Sequence, residues 1–238
     1  MDINNVTAVV VNWLTERRTL GAIESFRKFY PEMKLIIVDD DSQEEDRSEF
    51  FSAYNGHNVN PHLEYDPGVE KLKAVENATF LQMPRHKYHP KSEGHSVDMA
   101  MQNMETEWMF HFHSDYRFTK PGSLELLMSR VEEGVCAVGE GKTKHQELLA
   151  LSGVIELINV KLGKEHGLSY KPVVYHPDKT ITPFPGDAGD GMAIAAGGYY
   201  TGKLAQLGYK VVGLGGLHDK FGVHMRWEGD LEKWNLLY

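Results

Sequence analysis

The segment WMFHFHSDYRF, residues 108–118, changes character within one residue: an aromatic, apolar run stops at His113-Ser114-Asp115. A charged group at the edge of a core needs a partner or a cation. A buried strand that ends on imidazole, hydroxyl and carboxylate, side chains of the metal-ligating kind, therefore reads as a place for chemistry. A second acidic strand end, LIIVDDDS, lies upstream and carries Asp39, Asp40 and Asp41. Near the C-terminal end GGLHDKFGVHMRW adds His218 and His224, six residues apart. That is not the i, i+4 spacing of a helical zinc site, whereas on a strand it puts both on one face. PFPGDAGDG, residues 183–191, is a glycine-rich acidic loop that carries Asp187 and Asp190. PRHKYHPKSEG, residues 84–94, is a basic loop in an acidic chain, with Arg85, His86, Lys87 and Lys91.

These groups need a scaffold. Residues 6–11 form a continuous apolar, β-branched run, the pattern of a buried strand. Thr15 suits a helix cap with Glu16 in the first turn; Leu20, Ile23, Phe26 and Tyr30 recur at helical spacing until Pro31. Residues 35–38 give the next strand, and this alternation predicts a βαβ unit with a parallel sheet. Residues 43–78 read as loops plus a short helix, 78–82 as a third strand, 108–112 as a fourth. Val97, Ala100, Met101 and Met104 mark a helix face between the last two. Beyond, Pro121 opens a helix striped by Leu124, Leu127, Met128 and Val131; 137–139 is a short strand. Leu148, Leu151, Ile155, Ile158 and Leu162 form a longer stripe at helical spacing, stopping at Gly163. Residues 173–175 read as a strand and 176–198 as the longest irregular stretch. Tyr200, Leu204 and Leu207 mark the last helix, and Val211 and Val212 begin a final strand. No repeat or linker interrupts the 238 residues, which points to one α/β domain.

In open α/β sheets, ligands bind outside the carboxyl ends of the strands. Three ends are polar here: Asn12, the run from Asp39 to Ser42, and the run from His113 to Asp115. On one sheet edge they would converge on a single crevice. The net charge of −9 argues against a nucleic-acid partner but allows a phosphorylated ligand bridged by a divalent cation. The single Cys136 excludes an internal disulfide and fits a reducing, cytoplasmic setting. No apolar run approaches the roughly 20 residues of a transmembrane helix, and no secretory signal is visible.

The order and spacing of VVVNWLTERRTL, VDDDSQEED and HSVDMAMQNMETEWMFHFHSDYRFTKPGSL resemble the nucleotide-diphospho-sugar transferases, above all glycosyltransferase family 2, across roughly residues 1–130. The resemblance implies a single GT-A-type, Rossmann-like α/β domain over 1–238, with a mostly parallel central sheet flanked by helices. Its nucleotide-sugar half would be 1–118 and its acceptor half 119–238. It implies a hexosyltransferase-like enzyme that moves a sugar from a nucleotide-diphospho-sugar to a carbohydrate or other hydroxyl acceptor, with inversion and a divalent metal, Mn²⁺ or Mg²⁺. Asp40 would receive the base, with Asn12, Asp39, Lys87, His113 and Ser114 also on the nucleotide. Asp115, with one of His218 and His224, would hold the metal, and Asp187 or Asp190 would be the base. His113 stands where the family has the first acid of D-x-D, and imidazole favours softer metals than carboxylate does. Two other readings stay open: a sugar nucleotidyltransferase, and a non-catalytic nucleotide-sugar-binding domain with an altered metal site. The first would want a glycine-rich phosphate loop after the first strand, where NWLTERRTLG has only Gly21. A metallohydrolase would want a compact ligand motif, and none appears.

Overall fold

A computed structural model describes residues 2–43, 45, 48, 65–85, 93–145, 148–183, 192–194 and 197–224. After a 3-10 turn at Ile3–Asn5 come β1 (Val6–Asn12), α1 (Glu16–Arg27) and β2 (Leu35–Asp39), the βαβ unit the sequence predicts. Next are α2 (Glu70–Lys73), β3 (Ala78–Gln82), α3 (Glu93–Gln102), β4 (Trp108–Phe112), β5 (Tyr116–Phe118) and α4 (Ser123–Met128). The second half holds β6 (Val135–His145), β7 (Leu148–Asn159), α5 (Val160–Glu165), β8 (Val173–Tyr175), β9 (Ile181–Pro183) and β10 (Met192–Ile194). The last elements are α6 (Gly198–Gln206), β11 (Lys210–Gly213), α7 (Leu217–Phe221) and β12 (Gly222–His224).

Seven strands form one sheet in the order β11-β6-β7-β4-β1-β2-β3. β7 runs antiparallel to both neighbours and the other pairings are parallel. Helices cover both faces of the sheet's middle, so β1, β2 and β4 are buried along their whole length. On the α1 face Phe26 stacks on Phe110 and Phe112 at ring-centroid distances of 6.0 and 5.0 Å. On the other face Val97 and Met101 of α3 share a buried cluster with Tyr170, Tyr200 and Leu204. Gly163 is required there, because a Cβ on it would fall 1.8 Å from the Tyr200 hydroxyl.

Several expectations change. The stripe from Leu148 to Ile158 is a strand; helix begins only at Val160. Residues 154–160 are all buried, so both faces of β7 read as apolar and the spacing mimics a helix. The short strand at 137–139 is the middle of an eleven-residue strand paired with it. The stretch 176–198 contributes β9 and β10 to a three-stranded antiparallel sheet with β8. Pro121 stands outside α4, whose cap is Gly122. Thr15 precedes α1, but its side chain caps no backbone N–H; its hydroxyl donates to Asn12 Oδ1 at 3.4 Å. His218 and His224 lie on different elements, α7 and β12, so the shared strand face does not exist. No helix among the described residues is long and apolar enough to cross a membrane.

Candidate active site

The carboxyl ends of β2, β1 and β4 are neighbours, and each delivers its polar group to the same sheet edge. The first group is a closed network. Asp39 accepts from Asn12 Nδ2 at 2.7 Å, from the Ser42 N–H at 2.8 Å, from Ser42 Oγ at 2.6 Å and from the Gln82 amide. Asn12 Oδ1 takes the Thr19 hydroxyl at 2.7 Å, and Ser42 Oγ takes the Leu14 N–H at 2.7 Å. Asp39 is 0% exposed, with both oxygens engaged. Asn12 and Asp39 thus brace the two strand ends and the turn. Leu14 and Asp41 hold left-handed φ values of 56° and 57° in this frame, a conformation costly for non-glycine residues.

Asp40 follows at the turn. Ser96 of α3 donates to its Oδ1 at 2.7 Å, tying α3 to the end of β2. Arg85, from the basic loop, pairs with Asp41 at 3.2 Å.

The second group forms where β4 stops. The Tyr116 N–H donates to the His113 carbonyl at 3.1 Å, closing a tight turn that holds His113 and Asp115 side by side. β12 then pairs antiparallel with β5 and sets His224 opposite Tyr116. Gly222 permits this approach, since a Cβ there would lie 2.2 Å from the Arg117 carbonyl oxygen. His224 Nε2 reaches Asp115 Oδ2 at 3.1 Å, and Arg18 of α1, itself buried, reaches the same oxygen at 3.3 Å. His113 Nδ1 lies 3.9 Å from Asp115 Oδ1. One ligand atom each from His113, Asp115 and His224 lie within 4.8 Å of one another. Asp115 Oδ1 is buried and accepts no hydrogen bond. Burial opposes ionisation of Asp115, but the His224 hydrogen bond and the Arg18 charge outweigh it and hold its carboxyl well below the usual range. Burial lowers His113, favouring the neutral imidazole that ligates metal. An orphaned carboxylate oxygen between two imidazoles fits a divalent cation.

A third group was not foreseen. His111, two residues before His113, is 4% exposed and faces Glu93 of α3, with Nε2–Oε1 at 3.4 Å. Glu156 on β7 stands opposite His111 in the strand register and accepts from the Tyr170 hydroxyl at 3.1 Å. The i, i+2 spacing of His111 and His113 was a usable signal, since alternate strand residues share a face; Glu93 carried none. Of the other expected residues, Ser114 lies in the turn between His113 and Asp115. Lys87, Asp187 and Asp190 lie outside the described residues, as does the side chain of His218.

No family model and no curated protein matches the sequence. Solved structures do. The mannosyltransferase PcManGT from Pyrobaculum calidifontis, in complex with GDP-Man and Mn²⁺, aligns with TM-score 0.57 at 14% identity, over 98% of this chain and 60% of that one. TarS 1–349 from S. aureus aligns at 0.45 and 16% identity, over 69% and 50%. The bifunctional IspDF from Campylobacter jejuni aligns at 0.47 and 11%, over 96% and 53%. This chain thus spans 50–60% of the length of these three. The class defined by the sheet and its flanking helices is the GT-A-type fold of glycosyltransferases, α/β with a mostly parallel seven-stranded centre.

Proposed function

We propose that this chain is a glycosyltransferase that moves a sugar from a nucleotide-diphospho-sugar to a hydroxyl acceptor, with a divalent cation at His113, Asp115 and His224. The observation that carries this reading is the buried, unbonded Oδ1 of Asp115 set among two imidazoles at the ligand-binding edge of a GT-A-type sheet. The mannosyltransferase of like fold, in complex with a nucleotide sugar and Mn²⁺, supports the same ligand pair. Two nitrogens and one oxygen favour Mn²⁺ over the oxygen-seeking Mg²⁺. A cation bound there supplies Lewis-acid neutralisation of the charge that gathers on a departing diphosphate.

The chain's own residues do the rest. Arg18 backs Asp115 with a fixed positive charge beside the phosphate position. Asp40, held in place by Ser96 at the end of β2, is the residue of this reading that receives the base or ribose. The general base of this reading is Asp187 or Asp190, acting on a carbohydrate or other hydroxyl acceptor with inversion. The domain is single, 1–238, in a cytoplasmic setting. Because His224 comes from the acceptor half, donor binding draws on both halves.

Titration calorimetry with UDP and GDP, with and without Mn²⁺, tests the proposal. Metal-dependent binding that Asp115→Asn removes is the expected result, and equal binding with EDTA present contradicts it. The Arg18–Asp115 ion pair favours one second reading, a non-catalytic nucleotide-sugar-binding domain in which arginine stands in for part of the cation's charge. A panel of nucleotide sugars assayed for slow donor hydrolysis separates the two, because a binding domain releases no sugar.

A further inference from the structure

The set formed by Glu93, His111, Glu156 and Tyr170 has no part in the roles assigned so far. The His111 ring on β4 and the His113 ring just past the strand's end have centroids 5.7 Å apart. Neither ring nitrogen of His111 has a well-directed hydrogen bond, although the side chain is buried. Two acids face it. Glu156 is buried and engaged by the Tyr170 hydroxyl, and burial pushes its carboxyl up to about 7. Glu93 is different: its side chain is 40% exposed. Desolvation opposes its ionisation, but the buried imidazole of His111, 3.4 Å from Oε1, outweighs that and holds the carboxyl down. Glu93 is therefore the charged, accessible member of the set, fixed from behind by a buried imidazole.

Its place in the sheet gives the carboxylate a task. Asp40 follows β2 and is bonded by Ser96 of α3; one turn earlier on the same helix, Glu93 turns its carboxylate to His111 of β4, on the other side of β1. β2 and β4 are two strand spacings apart, about 10 Å. The His113–Asp115–His224 group follows β4. A donor with its base at Asp40 and its diphosphate at that group would carry its glycosyl end past Glu93.

We propose that Glu93, positioned by His111, reads the glycosyl part of the donor by accepting hydrogen bonds from sugar hydroxyls. This rests on the glycosyltransferase reading above. An ionised carboxylate only accepts, and a sugar ring presents adjacent hydroxyl donors to it. A site built to bond a hydroxyl discriminates strongly against a ligand that lacks it. Glu93 is the contacting residue; His111 acts through it.

The test compares UDP and GDP with UDP-N-acetylglucosamine and GDP-mannose by calorimetry on the full chain with Mn²⁺. Glu93→Gln is expected to weaken the sugar-bearing nucleotide about tenfold or more while leaving its parent diphosphate within about twofold. His111→Phe, which keeps the ring packing but loses both nitrogens, is expected to show the same sugar-selective loss to a smaller degree. Should His111→Phe fail to fold, Glu93→Gln alone decides. Equal weakening of diphosphate and sugar nucleotide overturns the proposal, as does unchanged sugar-nucleotide binding. So does a wild-type chain that binds a diphosphate but gains nothing from either sugar. A wild-type chain that binds neither UDP nor GDP overturns the transferase reading itself.

Discussion

The end of β2 and the end of β4 are built on opposite plans. At β2, Asn12, Asp39, Ser42 and Gln82 satisfy one another, and nothing in that network waits for a ligand. At β4, Arg18 and His224 hold one oxygen of Asp115, while the other, 3.9 Å from His113, is buried and has no hydrogen bond. A complete network stabilises and fixes geometry; an incomplete one stores a need for a partner. Acidic residues near a strand end are therefore poor evidence of function by type alone. Whether their oxygens are already taken is what separates Asp39 from Asp115.

Substitutions at the two ends should break this contrast in opposite ways. Asp115→Asn should cost two orders of magnitude or more in Mn²⁺-dependent nucleoside-diphosphate affinity, about 3 kcal/mol or more, read by calorimetry. Asp39→Ala should instead cost stability, about 3 kcal/mol in urea denaturation, because it strands buried donors on Asn12 and Ser42. Loss of metal-dependent binding by Asp39→Ala with unchanged stability would reverse the assignment.

Glu156 sharpens the contrast through pH. Its carboxyl is raised from 4.5 to about 7, so the native state keeps the proton that the unfolded chain loses first. The associated stability is full below about pH 4.5 and is lost as pH rises toward 7. Glu156→Gln should remove that slope, a difference on the order of 2 kcal/mol between pH 4.5 and 7. Parallel stability profiles for wild type and variant would contradict the assignment. The smallest effect belongs to His113→Asp, which replaces an imidazole by a hard oxygen donor. The preference for Mn²⁺ over Mg²⁺ should fall about tenfold in metal titrations.

Much of the first half was legible in the chain. β3 and β4 occupy the residues expected of them, because short apolar runs bounded by polar turns leave little choice. Family order suggested one of His218 and His224 beside Asp115 without choosing between them; the contact with His224 is made by β12 folding back on β5, which local pattern does not encode. The second half was harder. Residues 154–159 of β7 are buried on both faces, so the alternation there is erased and the stripe passes for a helix. Asp39 and Asp40 are adjacent carboxylates that sequence could not separate, since the difference lies in Gln82 from β3 and Ser96 from α3. The Glu93–His111 contact joins residues from different elements, and only assembly of the sheet reveals it.

The central claim is a cation held by His113, Asp115 and His224. Anomalous diffraction at the manganese edge, on crystals grown with Mn²⁺ and UDP or GDP, tests it most directly. One manganese peak bonded to those three side chains, with the diphosphate on its open side, is the result the account predicts. Manganese elsewhere, with the Arg18–Asp115 pair intact and the diphosphate away from it, would contradict it.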